Sequence, residues 1–454
     1  MVVWFYNAMK YVSSLKADFE KVVDKFGDRP AIFMDDKTFV SYSSFDKKIN
    51  NFCALFVKND IKRKDVICIR LHKNTAAYAA AMACVKLGIT FCFVDPLAPH
   101  DRVVDIIELC EPSLILDDIN NEKISTKVIC IYIDSDANCI ADLFFEELNN
   151  FKSQPTDPAY IVFTSGSTGR PKGVTITHSN LQHFINWAVT EYTLSETDIH
   201  THINPIYFDN SIFDIFSTFY SGASIVPFSV DECKKPYHVV DKIKLFSCNI
   251  FFGVPSMLRF LINMKSFEKG ELSSLQKIIF GGEGYPLVQL KQLFNLTNSH
   301  AKLFNVYGPS ECSCICSSYQ ISENDFFLDT GLPPIGFLSD NFDLLLLDEK
   351  DVEVFADKVG ELCLGGPCVG VGYYNQPDLS VKKFITNPSE HRFMQFFYRT
   401  GDLFKLNSDD GKLYFIGRKD FQIKHQGYRI ELEEIEIAAS RLDGILDVCC
   451  WKSS

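Results

Sequence analysis

The stretch Tyr160–Gly173 constrains this chain more than any other, because an apolar, β-favouring run leads directly into a loop of glycines and hydroxyl-bearing residues. The glycines would let the backbone approach an anion closely, and the hydroxyl groups and two cations would bind phosphate oxygens. These loop residues are Ser165, Gly166, Ser167, Thr168, Gly169, Arg170, Lys172 and Gly173. The spacing differs from the P-loop pattern Gly-x-x-x-x-Gly-Lys-Ser/Thr, since Arg170 follows Gly169. A phosphate-binding loop is therefore predicted, with a flexible surface turn as the alternative.

Length, charge and cysteine content narrow the class of protein. The chain has 454 residues, enough for about two to four domains of roughly 150 residues each. A net charge of −13 argues against a nucleic-acid partner. Met1 begins a segment without the apolar core of a signal peptide, and no stretch reaches the ~20 apolar residues of a membrane span. The 16 cysteines form no repeated framework, so we predict reduced thiols in a cytoplasmic protein without a membrane partner.

Alternating segments of apolar sequence predict the fold class. Val66–Leu71 and Ile89–Val94 have the pattern of buried strands, and they flank an alanine-rich helix, Ala76–Leu87, that Gly88 ends. Strand, helix and strand in succession are typical of a parallel sheet. Glycine turns between short apolar runs over residues 360–375 indicate a small β-rich subdomain. We therefore predict an α/β protein with parallel-rich sheets, helices and a small β-rich subdomain.

Further motifs follow the loop along the chain. They are Phe280-Gly-Gly-Glu, Phe304-Asn-Val-Tyr-Gly-Pro-Ser-Glu-Cys, Tyr398-Arg-Thr-Gly-Asp and Gly417-Arg-Lys-Asp. With the loop, they resemble the adenylate-forming enzymes, and their wording is most similar to the amino-acid adenylation domains of nonribosomal peptide synthetases and to D-alanine–carrier-protein ligases. The resemblance implies that ATP and Mg²⁺ are used to join an amino acid's carboxylate to AMP with release of pyrophosphate. It also implies transfer of the aminoacyl group to the phosphopantetheine thiol of a carrier protein.

The resemblance implies roles for individual residues. Those expected to take part in catalysis are Thr164, Ser165, Ser167, Thr168, Lys172 and Glu311, of which Glu311 would be the Mg²⁺ ligand. Those expected to bind ATP are the same loop residues, Gly166 and Gly169, and further along the chain Gly282, Glu283, Asn305, Tyr307, Gly308, Ser310, Asp402 and Arg418. Tyr307 offers an aromatic face to a purine, and Asp402 could accept hydrogen bonds from both ribose hydroxyls. The family usually has threonine where Ser310 stands, and the hydroxyl is retained.

Asp209 lies in an otherwise apolar and aromatic segment. A buried carboxylate is costly without a partner, so Asp209 either caps the following helix or pairs with a bound ammonium group. The resemblance implies the second role, since an aspartate at this motif position binds the substrate's α-amino group in the amino-acid-activating branch. By motif position, the substrate pocket would be lined by Asp209, Asn210, Phe213, Gly253, Ile279, Gly281, Val306 and Cys314. This set predicts a neutral α-amino acid of moderate size.

The resemblance covers nearly the whole chain and predicts a domain boundary at Asp420. We expect residues 1–419 to bind ATP and the amino acid, and residues 420–454 to begin a small C-terminal α+β domain that is truncated. The family's near-terminal lysine has no counterpart, because Lys452 lies in Cys-Cys-Trp-Lys-Ser-Ser. Two alternatives therefore stay open: an acyl- or aryl-CoA ligase, and a non-catalytic protein that binds ATP and an amino acid.

Overall fold

A computed structural model describes residues 14–124, 126–133, 153–166, 170–327, 331–420, 422–426, 428–440 and 448–451. Within these ranges the chain forms two large, mostly parallel sheets, a smaller antiparallel sheet and a short hairpin. One continuous apolar core contains side chains from both large sheets and from the helices packed on them. This architecture confirms the predicted α/β class with its small β-rich subdomain.

The first large sheet determines where the ends of several motif strands lie. Its strands are β1 (Pro30–Phe33), β2 (Phe39–Ser41), β9 (Ile199–His202), β10 (Ser224–Pro227), β11 (Ile250–Gly253), β12 (Lys277–Gly281), β13 (Lys302–Tyr307) and β14 (Ser317–Gln320). Among the described residues they follow the order β14-β13-β12-β11-β9-β10-β1-β2, and only the edge strands β14 and β2 are antiparallel to their neighbours. Parallel strands bring their carboxyl ends to one edge of a sheet, where ligands commonly bind. Gly253, Gly281 and Tyr307 therefore end their strands at the same edge.

The second large sheet carries the glycine-rich loop. Its strands are β3 (Val66–Arg70), β4 (Thr90–Phe93), β5 (Leu114–Asp118), β6 (Ile129–Ile133), β7 (Pro158–Thr164) and β8 (Lys172–Thr177), in the order β6-β5-β3-β4-β7-β8 within the described part of the chain. Every residue of β3 and β4 is buried, as expected for strands covered on both faces. The terminal pair, β7 and β8, is antiparallel with Thr164 opposite Lys172, so the loop connects two adjacent strands.

Helices cover these sheets and begin and end at residues with recognisable capping chemistry. Asn74 accepts a hydrogen bond from the backbone N–H of Ala77, and Gly88, with φ of 70°, ends the helix after Leu87. The helices are α1 (Leu15–Phe26), α2 (Tyr42–Lys58), α3 (Thr75–Leu87), α4 (His100–Cys110), α5 (His178–Glu191), α6 (Asn210–Ile212), α7 (Thr218–Ser221), α8 (Val230–Cys233), α9 (Pro236–Leu245), α10 (Pro255–Asn263), α11 (Leu287–Thr297), α12 (Pro377–Lys383) and α13 (Leu432–Ser440). A π-helical turn, Phe213–Ser217, joins α6 to α7, and 3₁₀ turns span Ser310–Cys312 and Glu323–Phe326.

The third sheet and the hairpin contain the later motifs. The sheet consists of β15 (Asp343–Leu347), β16 (Val359–Gly365), β17 (Phe384–Thr386), β18 (Phe396–Leu406) and β19 (Leu413–Arg418), and the hairpin of β20 (Ile423–His425) and β21 (Tyr428–Ile430). All described pairings in both are antiparallel. Asp402 in β18 is directly opposite Arg418 in β19, so these two residues are neighbours through strand register.

Predicted and observed elements agree closely where the apolar pattern is strong. Observed strand β3 ends one residue before the predicted end at Leu71, and α3 begins one residue before the predicted start at Ala76. The polar sequence of residues 135–157 predicts an exposed connection, and most of these residues lie outside the described part of the chain. In the part of the chain that the structure describes, every helix is too short or too polar to cross a bilayer.

Candidate active site

A cleft opens between the carboxyl ends of β12 and β13 on one side and β18, β19 and the hairpin on the other. Its deeper part is lined by Phe208, Asp209, Asn210, Phe252, Gly281, Gly282, Val306, Gly308, Pro309, Ser310, Cys314, Ile315, Thr400, Asp402, Arg418, Gln422 and Arg429. An adjoining hollow shares Gly282, Val306, Asp402, Arg418 and Gln422, and is further lined by Glu283, Gly284, Tyr285, Asn305, Tyr307, Leu332, Pro333, Ile335, Phe415, Gly417 and Ile423. The cleft thus brings together motifs that are far apart in the sequence.

Asp402 is fixed from two sides in this cleft. The Tyr307 hydroxyl donates to its Oδ2 at 2.6 Å, and the Arg418 guanidinium donates to its Oδ1 at 2.6 Å. Arg418 also pairs with Asp420 through two nitrogens. The carboxylate is 2% exposed, so its position is set by these contacts and by strand register. An ordered acceptor pair next to an aromatic ring is suited to a nucleoside.

The other predicted ATP-binding residues lie along the same edge. Gly282 has φ of 86°, in the left-handed region that glycine adopts without strain, and it lets the chain turn into the cleft. Glu283 accepts a hydrogen bond from the backbone N–H of Ser256 at 2.5 Å, at the start of α10. Asn305 donates to the carbonyl of Pro334 at 2.9 Å. A Cβ at Gly308 would lie 2.1 Å from the carbonyl oxygen of Cys314, so only glycine fits there.

The glycine-rich loop lies where the hairpin meets the second sheet. The Ser165 hydroxyl donates to the carbonyl of Arg429 at 2.5 Å. Thr164 is buried, and its hydroxyl has no hydrogen-bond partner in the described structure. Gly166 is too crowded for a side chain, since a Cβ would lie 2.1 Å from the carbonyl oxygen of Arg170. Ser167, Thr168 and Gly169 lie outside the described residues.

Glu311 is fully buried and ionised. Arg429 donates to both carboxylate oxygens, at 3.2 and 3.0 Å, and the Tyr373 hydroxyl donates to Oε1 at 2.7 Å. Burial acts to raise the pKa of Glu311, but the charge of Arg429 and the Tyr373 hydrogen bond outweigh it and hold the pKa at about 2. Glu311 therefore offers the hard carboxylate oxygens that Mg²⁺ prefers as ligands. In this structure the guanidinium of Arg429 binds both of these oxygens.

Lys172 is also paired with the segment that follows the hairpin. Its ammonium group is 3.1 Å from Oε1 of Glu431, and both side chains are almost fully buried. Gln422 donates to the same oxygen at 2.6 Å. The anionic Glu311 and the cationic Lys172 of the predicted site are thus both paired with residues of one short segment, Arg429 and Glu431 respectively. A polyphosphate bound at Lys172 would have to displace Glu431.

Asp209 precedes α6 but does not cap it with its side chain. The Ser310 hydroxyl donates to Oδ2 of Asp209 at 2.6 Å, which ties Asp209 to the motif that contains Glu311. The helix-cap alternative for Asp209 therefore has no hydrogen bond to support it. Asp209 lines the cleft, so a positively charged group bound there would find a carboxylate.

The predicted substrate pocket is only partly assembled around the cleft. Asp209, Asn210, Gly281, Val306 and Cys314 line it, and the Cys314 thiol donates to the Asn210 side-chain oxygen at 3.6 Å. The remaining members of the predicted set do not line the cleft; they are Phe213, Gly253 and Ile279. Phe213 packs edge-to-face on Tyr192 in the core, and Ile279 is wholly buried there.

Sequence reasoning missed the residues that pair with the site from the C-terminal side. Arg429 lies in β21 and Glu431 directly follows that strand, but their partners lie 118 and 259 residues earlier. Thr400 and Gln422 also line the cleft. The alternation of opposite charges in Arg429-Ile-Glu431 is the signal that could have indicated two ion pairs on one face of a strand.

The family model described as AMP-binding enzyme matches residues 19–374 of the chain. Bacitracin synthase 3 of Bacillus licheniformis is 29% identical over 427 residues, which make up 94% of this chain and 6% of the synthase. D-alanine–D-alanyl carrier protein ligase of Bacillus velezensis is 30% identical over 374 residues, covering 81% of this chain and 71% of the ligase. The chain therefore spans a small part of the synthase and most of the ligase.

Solved structures show the same fold. IdnL1 superposes with a TM-score of 0.83 at 24% identity, covering 96% of this chain and 88% of IdnL1. The four-domain nonribosomal peptide synthetase AB3403, solved with AMP and glycine, superposes with a TM-score of 0.79 at 27% identity, covering 96% of this chain and 31% of AB3403. The family match, the relatives and the shared fold agree with the cleft geometry, and this chain belongs to the AMP-binding enzyme family of adenylate-forming proteins.

Proposed function

We propose that the chain binds ATP and activates an amino acid as its aminoacyl-AMP, releasing pyrophosphate, for transfer to the phosphopantetheine thiol of a carrier protein. One observation carries the proposal: the same cleft is lined by an ordered acceptor, Asp402, which the Tyr307 hydroxyl contacts, and by a second carboxylate, Asp209. A nucleoside and an ammonium group could be held at the same time, with the reacting carboxylate and phosphate between them.

The polar atoms near the loop support a phosphate at the middle of the cleft. The Thr164 hydroxyl and the Nε of Arg429 are buried donors without hydrogen-bond partners among the described residues. The two residues belong to adjoining segments, because Ser165, the residue after Thr164, donates to the backbone carbonyl of Arg429. Unsatisfied buried donors are uncommon, and phosphate oxygens would satisfy both.

In this proposal catalysis depends on positioning and charge neutralisation. The amino acid's carboxylate attacks the α-phosphorus of ATP while Thr164, Ser165, Ser167, Thr168 and Lys172 hold the outer phosphates. Asp402 and Tyr307 hold the nucleoside, with Arg418 orienting Asp402. The ionised Glu311 fits a Mg²⁺ ligand, and Mg²⁺ held there would neutralise phosphate charge. We infer that Arg429 moves from Glu311 when the nucleotide binds.

The remaining parts of the proposal concern the chain's surroundings and division. We propose a cytoplasmic location, because the described cysteines are free thiols, which persist in a reducing compartment. We also propose that the boundary between residues 1–419 and 420–454 separates the substrate-binding part from the segment that supplies Arg429 and Glu431. Support comes from Asp420, which pairs with Arg418 where β19 ends.

Amino-acid-dependent ATP–pyrophosphate exchange tests the proposed reaction. The panel contains the common L- and D-amino acids together with several fatty and aryl acids. Exchange with one neutral amino acid is the expected result. Exchange only with a fatty or aryl acid would instead support the CoA-ligase alternative, against which Asp209 argues.

A second candidate function is binding of ATP and an amino acid without turnover. The ion pairs of Glu311 with Arg429 and of Lys172 with Glu431 favour it, because they occupy both charged groups that adenylation would use. Calorimetry separates the two functions. Binding of ATP and an amino acid by a chain that shows no exchange would support the binding protein and contradict adenylation.

Replacing Asp209 by alanine is expected to raise the KM for the amino acid by about 10–100-fold, because a hydrogen bond to a charged group contributes about 1.5–3 kcal/mol. The KM for ATP should change much less. Asp209→Asn is the matched control, since it removes the charge but keeps an oxygen for the Ser310 hydroxyl. An unchanged KM for the amino acid in both variants would show that Asp209 does not bind the ammonium group.

A further inference from the structure

Three cysteine thiols meet in the core of the second sheet, away from the cleft. They are Cys68 in β3, Cys92 in β4 and Cys110 at the end of α4, and their sulfur atoms all lie within 4.8 Å of one another. Cys68 and Cys92 are directly opposite each other in parallel register, so both side chains leave the sheet on the same face. Helix α4 packs on that face and supplies the third thiol. Nothing in the proposed reaction uses this cluster.

The surroundings of the three sulfurs are closed and apolar. Each cysteine is at most 1% exposed, and the neighbouring buried side chains are valines and isoleucines, namely Val66, Val94, Val103, Ile106, Ile107, Ile115, Ile124 and Ile161. Burial raises the pKa of Cys92, and hydrogen bonding within the cluster together with burial raises that of Cys110, whereas thiol donors at Cys110 and Cys92 lower the pKa of Cys68. The three sulfurs are thus close enough for the state of one thiol to affect the others.

The cluster's shape selects a ligand with three bonds to sulfur. Three bonds of about 2.3 Å, as metals make to thiolates, place the sulfurs about 4 Å apart around a planar centre and about 3.5 Å apart around a pyramidal centre that carries a lone pair. Small side-chain rotations reach these spacings from the observed one. Structural zinc almost always takes four ligands, and among the described residues the cluster has three potential ligands.

Net charge decides between the thiophilic ions. A complex of three thiolates with a monovalent ion such as Cu⁺ has a net charge of −2, and a complex with a divalent ion has a net charge of −1. An uncompensated charge is very costly in an apolar core. A trivalent centre leaves no charge. We propose that Cys68, Cys92 and Cys110 form a three-coordinate binding site for a trivalent thiophilic element, with arsenic(III) as the representative ligand.

The binding step balances without an oxidant or a reductant. Arsenous acid, As(OH)₃, meets three thiols; three As–S bonds form and three As–O bonds break. Each thiol proton leaves with a hydroxide as water, and arsenic remains trivalent. The incoming molecule is small and uncharged at neutral pH, so it can enter through local opening of the sheet and helix.

Arsenic bound to the three cysteines would cross-link β3, β4 and α4, which lie close to the glycine-rich loop. Strand β4 pairs with β7, where Cys92 is opposite Ile161, and β7 ends at Thr164. Binding to the folded chain alone stabilises it in proportion to ligand excess. The thermal midpoint is therefore expected to rise when arsenite is added to the reduced protein.

Native mass spectrometry of the reduced full chain with arsenite tests the site. The background is Cys449→Ser/Cys450→Ser, which removes an adjacent pair of cysteines near the chain end. The expected adduct is one arsenic atom with loss of three hydrogens. A pair of thiols would retain a hydroxyl on arsenic and give a heavier adduct, so the mass itself reports how many sulfurs bind.

Cys110→Ala and Cys68→Ala are expected to abolish the three-sulfur adduct and the rise in thermal midpoint. Cys248→Ala is the matched control, since Cys248 is equally buried in a different apolar cluster, and it should behave as the parent. Using a helix-end variant and a strand variant keeps the test valid if one fails to fold. A three-sulfur adduct that survives either substitution would overturn the proposal. Stoichiometric zinc binding without arsenite binding would overturn the charge argument and with it the proposed ligand class.

Discussion

Replacing Asp402 by alanine is expected to weaken ATP binding by about 10²–10³-fold, the energetic equivalent of about two hydrogen bonds to a charged group. Asp402 is the one acidic residue of the cleft wall that both Tyr307 and Arg418 hold in place, among the residues that the structure describes. The substitution removes the acceptors for the ribose hydroxyls and leaves Asp420 as the carboxylate partner of Arg418. Calorimetric titration with ATP measures the loss directly.

A structural control is needed because the alanine substitution also leaves the buried Tyr307 hydroxyl without its acceptor. Asp402→Asn keeps the shape and one oxygen, so we expect a smaller loss of ATP affinity with a near-normal thermal midpoint. Tyr307→Phe removes the same hydrogen bond but leaves the carboxylate and the aromatic ring. If Asp402→Ala binds ATP as the parent does while remaining folded, the nucleoside is not held at this position.

Much of the fold is readable from the sequence because its elements follow local rules. Val66–Ile69 and Phe91–Phe93 are continuous apolar runs, which suit strands buried on both faces. Helix α3 begins directly after Asn74, whose side chain caps it, and ends at Leu87, directly before Gly88. Each of these signals lies within a few residues of the helix or strand that it defines. Such an element can therefore be predicted without knowing the contacts between distant parts of the chain.

Site residues could be predicted from the sequence only where they belong to a motif whose neighbouring residues are also specified. Asp402 and Arg418 were both predicted to bind ATP, and they are neighbours because β18 and β19 pair with these two residues opposite each other. The two motifs together imply this contact, although neither motif alone gives the strand register. Phe213 belongs to the predicted pocket set yet lies in the core, where its ring packs on those of Tyr192 and Phe252 at the start of the π-helical turn Phe213–Ser217. A single inserted residue in a helical turn has no reliable local pattern.

The partners in ion pairs between distant segments could not be predicted from the sequence. Glu311 and Arg429 are each compatible with a solvated surface role when considered alone, and only the packing of the hairpin against the cleft brings them together. The three-thiol cluster is similar, since Cys110 reaches Cys68 and Cys92 through the way α4 crosses the sheet. Such contacts depend on tertiary geometry, in which residue spacing along the chain carries no information.

Replacing Arg429 by methionine is expected to destabilise the chain by about 3–5 kcal/mol, because it leaves a buried carboxylate without its countercharge. Glu311 is 0% exposed at its side chain and Arg429 17%. Arg392→Met is the control: it breaks an ion pair with Glu390 in which the arginine is 83% exposed, and such surface pairs contribute about 0–1 kcal/mol. Chemical denaturation of the three proteins gives the free energies of unfolding. Equal losses for the two variants would show that the Arg429 pair is not formed in solution.

The same substitution should reverse how Glu311 links stability to pH. In the parent the pKa of Glu311 is lowered from 4.5 to about 2, so its stabilising contribution is complete above pH 4.5 and is lost as the pH falls towards 2. Without Arg429, burial raises this pKa above its ordinary value, and the folded variant then favours the protonated acid. Its deficit relative to the parent should be largest at neutral pH and shrink as the pH falls to 4.5.

Two further measurements separate a structural role of the pair from a role in binding Mg²⁺. Glu311→Gln added to Arg429→Met removes the stranded charge, so the double variant should be more stable than Arg429→Met alone, and the cycle yields the coupling energy. In Arg429→Met, Glu311 is also open to another cation, and Mg²⁺ should raise its thermal midpoint more than that of the parent. Stabilisation by Mg²⁺ that is equal in Arg429→Met and in the double variant would exclude Glu311 as the ligand, because the double variant has lost the carboxylate.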